Sequence, residues 1–202
     1  MDEREIKNAV PWLMIVGRAL GCPLILVAAW RGWAGGWLGL IVVAALLSDI
    51  YDGILARRWG GETEQLRMSD SIADTIFYLG VVGALWLREP QVLLGNWRLL
   101  VGLFAIEGFR YVFDFAKFRK SASYHSYMAK AWGLLIAVAV VGVLSFGGLR
   151  PLIWVALGFG IVVNLEGLAM SLMLPRWKND VKTLGRAWAF RKEMLSEETA
   201  LR

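Results

Sequence analysis

Long runs of apolar residues constrain this chain more than any other feature. Of its 202 residues, 57% are hydrophobic, and they are grouped in stretches of the length that an α-helix needs to cross a bilayer, about 20 residues. Backbone polar groups must find their partners within the hydrocarbon core, so such stretches form helices. The sequence therefore predicts an all-α, polytopic membrane protein that forms a single domain over residues 1–202.

Six stretches are predicted to span the membrane. Several of their ends carry tryptophans, such as Trp30, Trp86 and Trp97, which are typical interfacial anchors. A further helix is predicted to lie in the interface at the C-terminal end, where apolar and basic residues interleave at helical spacing; a solvated tail is the alternative. The predicted spans are 10–30, 37–57, 69–87, 93–113, 128–146 and 152–174. The apolar positions of the interfacial helix are Trp177, Val181, Leu184, Trp188 and Leu195.

Basic residues are unevenly distributed between the two ends of these spans. Of the 22 lysines and arginines, only Arg31, Arg88, Arg98 and Arg150 fall on one side. The positive-inside rule then predicts that both termini, and the loop between the second and third spans, lie in the cytoplasm. We expect an inner membrane of the bacterial or archaeal type. The net charge of +5 is attributed to contact with anionic lipid, and no nucleic-acid partner is predicted.

Four aspartates lie at the predicted cytoplasmic ends of the second and third spans. Asp49 and Asp52 are three residues apart, and Asp70 and Asp74 are four apart, so each pair shares a helix face. A short connection lets the two faces meet. Charges at this depth are costly, and no matching set of lysines and arginines lies on these two faces. Bound divalent cations resolve the conflict, and oxygen ligands favour Mg²⁺ or Mn²⁺. In the alternative reading, Asp70 is only a helix N-cap.

Small residues follow the first acidic pair. Gly53 and Ala56 leave a strip free of large side chains, where a nucleotide or a neighbouring helix can approach the backbone. Arg57 comes next and can donate to phosphate oxygens through its planar fork. This arrangement favours recognition of a phosphorylated ligand.

The spacing of these residues resembles the signature of the CDP-alcohol phosphotransferases, D-x2-D-G-x2-A-R-x8-G-x3-D-x3-D. Leu66 departs from it, since it stands where the second glycine is expected, and no binding role is carried onto Leu66. The matching residues are Asp49, Asp52, Gly53, Ala56, Arg57, Asp70 and Asp74.

The resemblance implies a six-helix membrane enzyme, usually a homodimer, whose site opens to the cytoplasm. It implies that the four aspartates bind two metal ions and that Asp74 is also the general base. The stretch 12–15 would line the nucleotide pocket. Donor contacts are implied for Gly53, Ala56, Arg57 and Thr63.

The predicted reaction transfers a phosphatidyl group from CDP-diacylglycerol to a small polar alcohol and releases CMP. A close alternative is a choline- or ethanolamine-type phosphotransferase, which uses a CDP-linked head group and a diacylglycerol acceptor. Intramembrane prenyl transfer also uses aspartate-rich motifs and Mg²⁺, but it usually needs more helices and two separate motifs. A cation transporter would place its acids near the middle of the membrane. Basic residues around the predicted cytoplasmic cavity favour glycerol 3-phosphate as the acceptor, whereas Thr75, found where a lysine is associated with glycerophosphate enzymes, disfavours it.

The fourth predicted span carries a second polar face. Glu107, Arg110, Asp114 and Lys117 recur at spacings of three and four, so they lie on one side of a helix. We predict an acceptor pocket there, with Arg110 and Lys130 as candidate phosphate contacts. The alternative is pairing within the helix, Glu107 with Arg110 and Asp114 with Lys117.

One more charge lies within a predicted span. Arg18 has no acidic residue at helical spacing. Its partner is either the aspartate cluster or a lipid phosphate, unless its long side chain reaches the interface instead.

Overall fold

The computed structural model describes residues 3–59, 63–120, 124, 126–178 and 180–200, apart from the side chains of 3–8, 56–57, 64, 67 and 197–200. All regular structure in these ranges is helical. The helices are α1 (Glu3–Trp30), α2 (Gly35–Trp59), α3 (Glu64–Arg88), α4 (Pro90–Gly95), α5 (Trp97–Phe118), α6 (Tyr127–Phe146), α7 (Arg150–Met173) and α8 (Leu184–Ala200).

Five helices are long and apolar enough to cross a membrane. The fourth predicted span, 93–113, is displaced, because the short α4 ends at Gly95 and α5 begins at Trp97. The helix α5 carries five charged residues from Arg98 to Lys117, more than any of the five candidate spans. The predicted all-α membrane fold is confirmed. The five candidate spans are Ala9–Trp30, Gly35–Leu55, Met68–Arg88, Tyr127–Phe146 and Arg150–Met173.

The chain divides into two compact units. Unit 1 comprises Met1–Gly95 and Ala137–Arg150, and unit 2 comprises Asn96–Ile136 and Pro151–Arg202. Whether 1–202 behaves as one domain stays a prediction.

Within unit 1, α1 packs along α3 and against α2. Glycine makes the first contact unusually close. A Cβ added at Gly80 on α3 would lie 2.8 Å from the Cys22 Sγ and 3.0 Å from the Cys22 Cα. A Cβ added at Gly21 on α1 would lie 3.0 Å from the Phe77 ring. Small residues let helix backbones approach one another in this way. The close approach brings the middle of α1 against the acidic half of α3.

Within unit 2, the C-terminal segment packs on the end of α7. Val181 and Ala187 are fully buried, so the prediction that Val181 faces the interface was wrong. Leu184, Trp188 and Leu195 are exposed on α8, as a helix lying in an interface requires. The apolar residues of this segment therefore divide between the protein core and the surface. The core cluster consists of Tyr124, Met170, Leu174, Val181 and Ala187, with Phe118 and Phe190 packed against it.

The C-terminal end of α7 receives two basic side chains. The Lys117 Nζ donates to the carbonyl oxygens of Ser171 and Leu172 at 2.8 and 3.2 Å. The Arg191 Nη1 donates to the Met173 carbonyl oxygen at 3.5 Å. The last carbonyls of a helix have no partner within the helix, and cations are favourable at this end. These contacts tie α5 and α8 to α7.

Candidate active site

The four predicted aspartates converge within unit 1. Asp49 and Asp52 come from α2, and Asp70 and Asp74 come from α3. One carboxylate oxygen from each of Asp49, Asp70 and Asp74 lies within 4.8 Å of the other two. Asp52 is the most enclosed of the four, with 6% of its side chain exposed. The two acidic helix faces therefore meet, as the sequence predicts.

A guanidinium lies among these carboxylates. The Arg18 Nη1 donates to the Oδ1 of Asp49 at 3.2 Å and to the Oδ1 of Asp70 at 2.7 Å. It also donates to Asp74, while Nη2 donates to Asp52. Only 2% of the Arg18 side chain is exposed. Of the partners considered for Arg18, the aspartate cluster is the one observed.

The sequence offers no matching set of lysines and arginines on the faces of the two acid-bearing helices, and it leaves Arg18 with alternative partners. The cation comes instead from α1, which the close packing at Gly80 brings alongside α3. One positive charge against four negative charges still leaves three uncompensated when all groups are ionised. Arg18 therefore lowers the need for additional cations but does not remove it.

The donor set fits a divalent metal ion. All four side chains offer oxygen, the ligand that Mg²⁺ and Mn²⁺ prefer. Three of the four groups already lie close enough to share one ion. The uncompensated negative charge lies at the end of two spanning helices, where isolated charges are costly. The geometry and the charge both favour binding of divalent cations.

Thr63 caps α3. Its Oγ1 accepts a hydrogen bond of 3.1 Å from the Leu66 backbone N–H, and its backbone is extended, as an N-cap requires. The helix therefore begins at Glu64, earlier than the predicted start at 69. Asp70 lies inside the helix, so the reading of Asp70 as the N-cap was wrong. The predicted donor contact of Thr63 stays a prediction.

The other predicted donor residues lie at the end of α2. Gly53 is partly buried and follows Asp52 directly. The backbones of Ala56 and Arg57 continue the helix, and their side chains lie outside the part of the chain that the structure describes. The roles of all three residues stay predictions.

Leu66 fills the space between α1 and α3. It is 7% exposed and packs with Ile15 of α1, and with Ala73 of its own helix. The departure from the family signature thus places a buried aliphatic side chain one turn before Asp70. Ile15, from the stretch predicted to line a nucleotide pocket, faces this cluster and is itself buried.

We expect Leu66→Ala to destabilise the protein. Truncating a buried leucine typically costs about 2–5 kcal/mol in the free energy of unfolding. Thermal unfolding in detergent measures the effect. Leu79→Ala is the matched control, because Leu79 lies on the same helix but is 66% exposed. Equal melting temperatures for the two variants would contradict a packing role for Leu66.

A second polar cluster lies in unit 2. Asp114 is fully buried, and it accepts a hydrogen bond from the Ser171 Oγ. That Oγ lies 3.1 Å from the Tyr124 hydroxyl oxygen. Burial raises the pKa of Tyr124, although the hydrogen bond with Ser171 opposes this shift. The cluster links α5, α7 and the segment before α6.

Neither ion pair considered within α5 is formed among the described residues. Lys117 reaches the carbonyls of α7, and Arg110 crosses to α7, where its Nη1 would lie 2.7 Å from a Cβ added at Gly167. The Arg110 Nε and the Asp114 Oδ2 are buried, and no hydrogen-bond partner is found for either within the described ranges. Lys130 is exposed in the first turn of α6. The acceptor roles of Arg110 and Lys130 stay predictions.

Comparison with known proteins identifies the family. The family model for CDP-alcohol phosphatidyltransferase matches residues 8–165. A relative named "Cardiolipin synthase (CMP-forming)", from Streptomyces coelicolor, is 33% identical over 97 aligned residues, and the match covers 46% of this chain and 44% of the relative. The chain thus spans less than half the length of that relative. No solved structure matches the chain.

The matched range begins within α1 and contains all of α2 and α3, so it includes Arg18 and all four aspartates. It also includes the polar residues of α5 and ends within α7. Since the match covers well over half of the chain, the protein belongs to the CDP-alcohol phosphatidyltransferase family.

Proposed function

We propose that the protein transfers a phosphatidyl group from CDP-diacylglycerol to a small polar alcohol and releases CMP. Two Mg²⁺ or Mn²⁺ ions would be held by Asp49, Asp52, Asp70 and Asp74. The observation that carries the proposal is the convergence of these four carboxylates, which a single guanidinium only partly neutralises. The family match and the CMP-forming relative support the same class of reaction.

The residues would divide the chemistry as follows. Asp74 takes the proton from the acceptor hydroxyl, and the oxygen forms a bond to the phosphorus that carries the diacylglycerol. The bond from that phosphorus to the CMP oxygen breaks, and CMP leaves. When bound, the metal ions neutralise the diphosphate and the charge that develops on the leaving phosphate. Arg57 donates to phosphate oxygens, and Gly53 and Ala56 leave room for the nucleotide.

The product named for the Streptomyces coelicolor relative narrows the choice of acceptor alcohols to test. Cardiolipin carries two phosphatidyl groups on one glycerol, so its CMP-forming synthesis requires an acceptor that is a phosphatidyl lipid with a free hydroxyl group. We therefore propose testing the lipid alcohol phosphatidylglycerol first, with the small polar alcohols glycerol 3-phosphate, inositol and serine beside it. Phosphatidylglycerol, glycerol 3-phosphate and any other phosphate-bearing acceptor would bind through their phosphate to Arg110 and Lys130. A CDP-choline or CDP-ethanolamine donor with diacylglycerol is the second candidate pair.

We also propose that both termini and the site face the cytoplasm and that the enzyme acts as a homodimer. The orientation rests on the positive-inside rule, because 18 of the 22 basic residues lie on the side of the aspartates. The homodimer rests on the family resemblance alone. The orientation can be tested by labelling single introduced cysteines in intact cells with a reagent that does not cross the membrane. Reaction of a cysteine introduced beside Arg119 would contradict the proposed orientation.

A reconstituted assay tests the reaction. Purified protein is mixed with CDP-diacylglycerol, Mn²⁺ or Mg²⁺ and each acceptor in turn, and both CMP and the lipid product are measured. We expect CMP and a stoichiometric phospholipid with at least one acceptor. EDTA should abolish both, and added Mn²⁺ should restore them. Release of CMP without a lipid product would indicate hydrolysis, and no CMP with any donor and acceptor pair would overturn the proposal.

Arg110→Ala tests the acceptor pocket. Loss of a charge-assisted hydrogen bond to phosphate costs about 1.5–3 kcal/mol, so we expect KM for a phosphate-bearing acceptor to rise at least about tenfold. KM for CDP-diacylglycerol should not change. Arg98→Ala is the control, because Arg98 lies at the start of the same helix and stacks on the neighbouring Trp97. An unchanged acceptor KM would remove Arg110 from the pocket.

A further inference from the structure

We propose that Arg18 is a built-in cation of the aspartate site, which competes with divalent metal ions for the carboxylate oxygens and so sets the affinity for metal. The inference rests on the proposed metal binding, and it assigns to Arg18 a positioning role rather than a catalytic one.

The Arg18 guanidinium and a metal ion would need the same carboxylate oxygens. The Arg18 Nη1 donates to the Oδ1 atoms of Asp49, Asp70 and Asp74. These are the three residues whose carboxylate oxygens approach within 4.8 Å of one another. A cation that coordinates this trio must therefore share oxygens with the guanidinium or replace it.

The permanent positive charge of Arg18 opposes the binding of metal ions. A guanidinium cannot lose its proton in a protein, so Arg18 keeps its positive charge whatever else binds. Like charges repel strongly over a few ångströms in a partly buried site, where the effective dielectric constant is well below that of water. The presence of Arg18 therefore weakens the binding of each divalent ion. Its removal would also leave four carboxylates facing one another, which further strengthens the attraction for metal.

The Arg18 guanidinium is held by carboxylates of both acidic helices. Its Nη atoms contact carboxylates of both α2 and α3, so the planar fork joins the two acidic helices. Its Nε is buried, and no hydrogen-bond partner for it is found in the described part of the chain. Among those residues, the polar contacts that hold the guanidinium come from the carboxylates themselves. Ligation of these carboxylates by metal would therefore release the guanidinium.

The proposal predicts that replacement of Arg18 changes the metal affinity in the direction opposite to that caused by damage to the fold. If Arg18 only supported the fold, its replacement would distort the site and weaken metal binding. If Arg18 competes with metal, its replacement by a neutral residue strengthens binding. The two roles are separated by measuring metal affinity directly, without lipid substrate and without turnover.

Mn²⁺ binding by electron paramagnetic resonance provides this measurement. For Arg18→Gln we expect a Kd for Mn²⁺ at least tenfold lower than that of the wild-type protein. Arg18→Lys retains the charge, and its Kd should stay within about threefold of wild type. Arg31→Gln, which removes an exposed arginine just beyond the other end of α1, should leave the Kd unchanged.

Thermal unfolding gives a second readout. In EDTA, Arg18→Gln should melt at a lower temperature than the wild-type protein, because four carboxylates have lost their cation. Saturating Mn²⁺ should raise its melting temperature by more than it raises that of wild type, since tighter binding stabilises more. If the variant folds only with metal, it can be purified in Mn²⁺ and titrated with a chelator of known affinity, which yields the same Kd.

The outcomes separate the two proposals. An equal or higher Kd for Arg18→Gln, with Mn²⁺ bound by the wild-type protein, would overturn the competition and leave the metal site standing. A wild-type protein that binds no Mn²⁺ would overturn both. A lower Kd for the Gln variant with an unchanged Kd for Arg31→Gln would support the inference.

Discussion

Asp74→Asn should lower the rate of CMP release by at least about a thousandfold while the protein stays folded. Loss of a general base alone costs about 10²–10⁴ in rate, and the same change removes a charged ligand from the proposed metal set. Asparagine has nearly the same shape, and it relieves repulsion among the four acids, so the fold should tolerate it. CMP release at saturating donor and acceptor, together with the melting temperature, checks both parts of the prediction.

Asp180→Asn is the matched control for this variant. Asp180 is exposed in unit 2 and has a positive φ of 54°, a conformation that asparagine also adopts. Its replacement should leave the rate within about twofold of wild type. An Asp74→Asn enzyme that keeps more than a tenth of the wild-type rate would exclude Asp74 as the base.

Gly80→Ala should impair both folding and catalysis, although Gly80 contacts no substrate. The added methyl group would lie 3.0 Å from the Cys22 Cα, so the backbones of α1 and α3 must move apart. Overpacking of this kind costs about 1–3 kcal/mol. Displacement of α3 from α1 would shift Asp70 and Asp74 relative to the rest of the site, and a shift of about 1 Å can cost a hundredfold in rate. We expect a lower melting temperature and a loss of CMP release of about that size.

Gly83→Ala separates this effect from a general intolerance of alanine on α3. Its nearest neighbour is the Leu26 Cδ2, at 2.6 Å from the added Cβ, and this end of a flexible side chain can rotate away. The variant should retain most of the activity. Cys22→Ala combined with Gly80→Ala should restore only part of the loss, because the Cα of residue 22 remains. Equal activities for the two glycine variants would argue against a backbone contact at Gly80.

The acidic half of the site could be predicted from the sequence because its geometry is local. Spacings of three and four fix which face of a helix each aspartate occupies, and a short connection brings the two faces together. Arg18 could not be placed in the same way. It is separated from its partners by 31 to 56 residues, and its position depends on how closely α1 approaches α3. The glycine that permits this approach has no distinctive motif.

Competition between alternative partners explains the ion pairs that failed to form in α5. A pair within one helix contributes only about 0.2–0.5 kcal/mol. The free carbonyls at the end of α7 attract Lys117 more strongly, because they have no partner within their own helix. The predicted start of α3 at residue 69 was too late for a different reason, because Thr63 caps the helix before its apolar pattern begins.

Among the described residues, the charged groups that meet at the aspartate cluster lie between residues 18 and 74 of the chain. Domains and helices closer to the N-terminus are synthesised first, so α1, α2 and α3 leave the ribosome before α5 to α8 exist. The ion pairs between Arg18 and the four carboxylates can therefore form while the chain is still entering the membrane. Insertion of the acidic helices need not wait for the rest of the polypeptide.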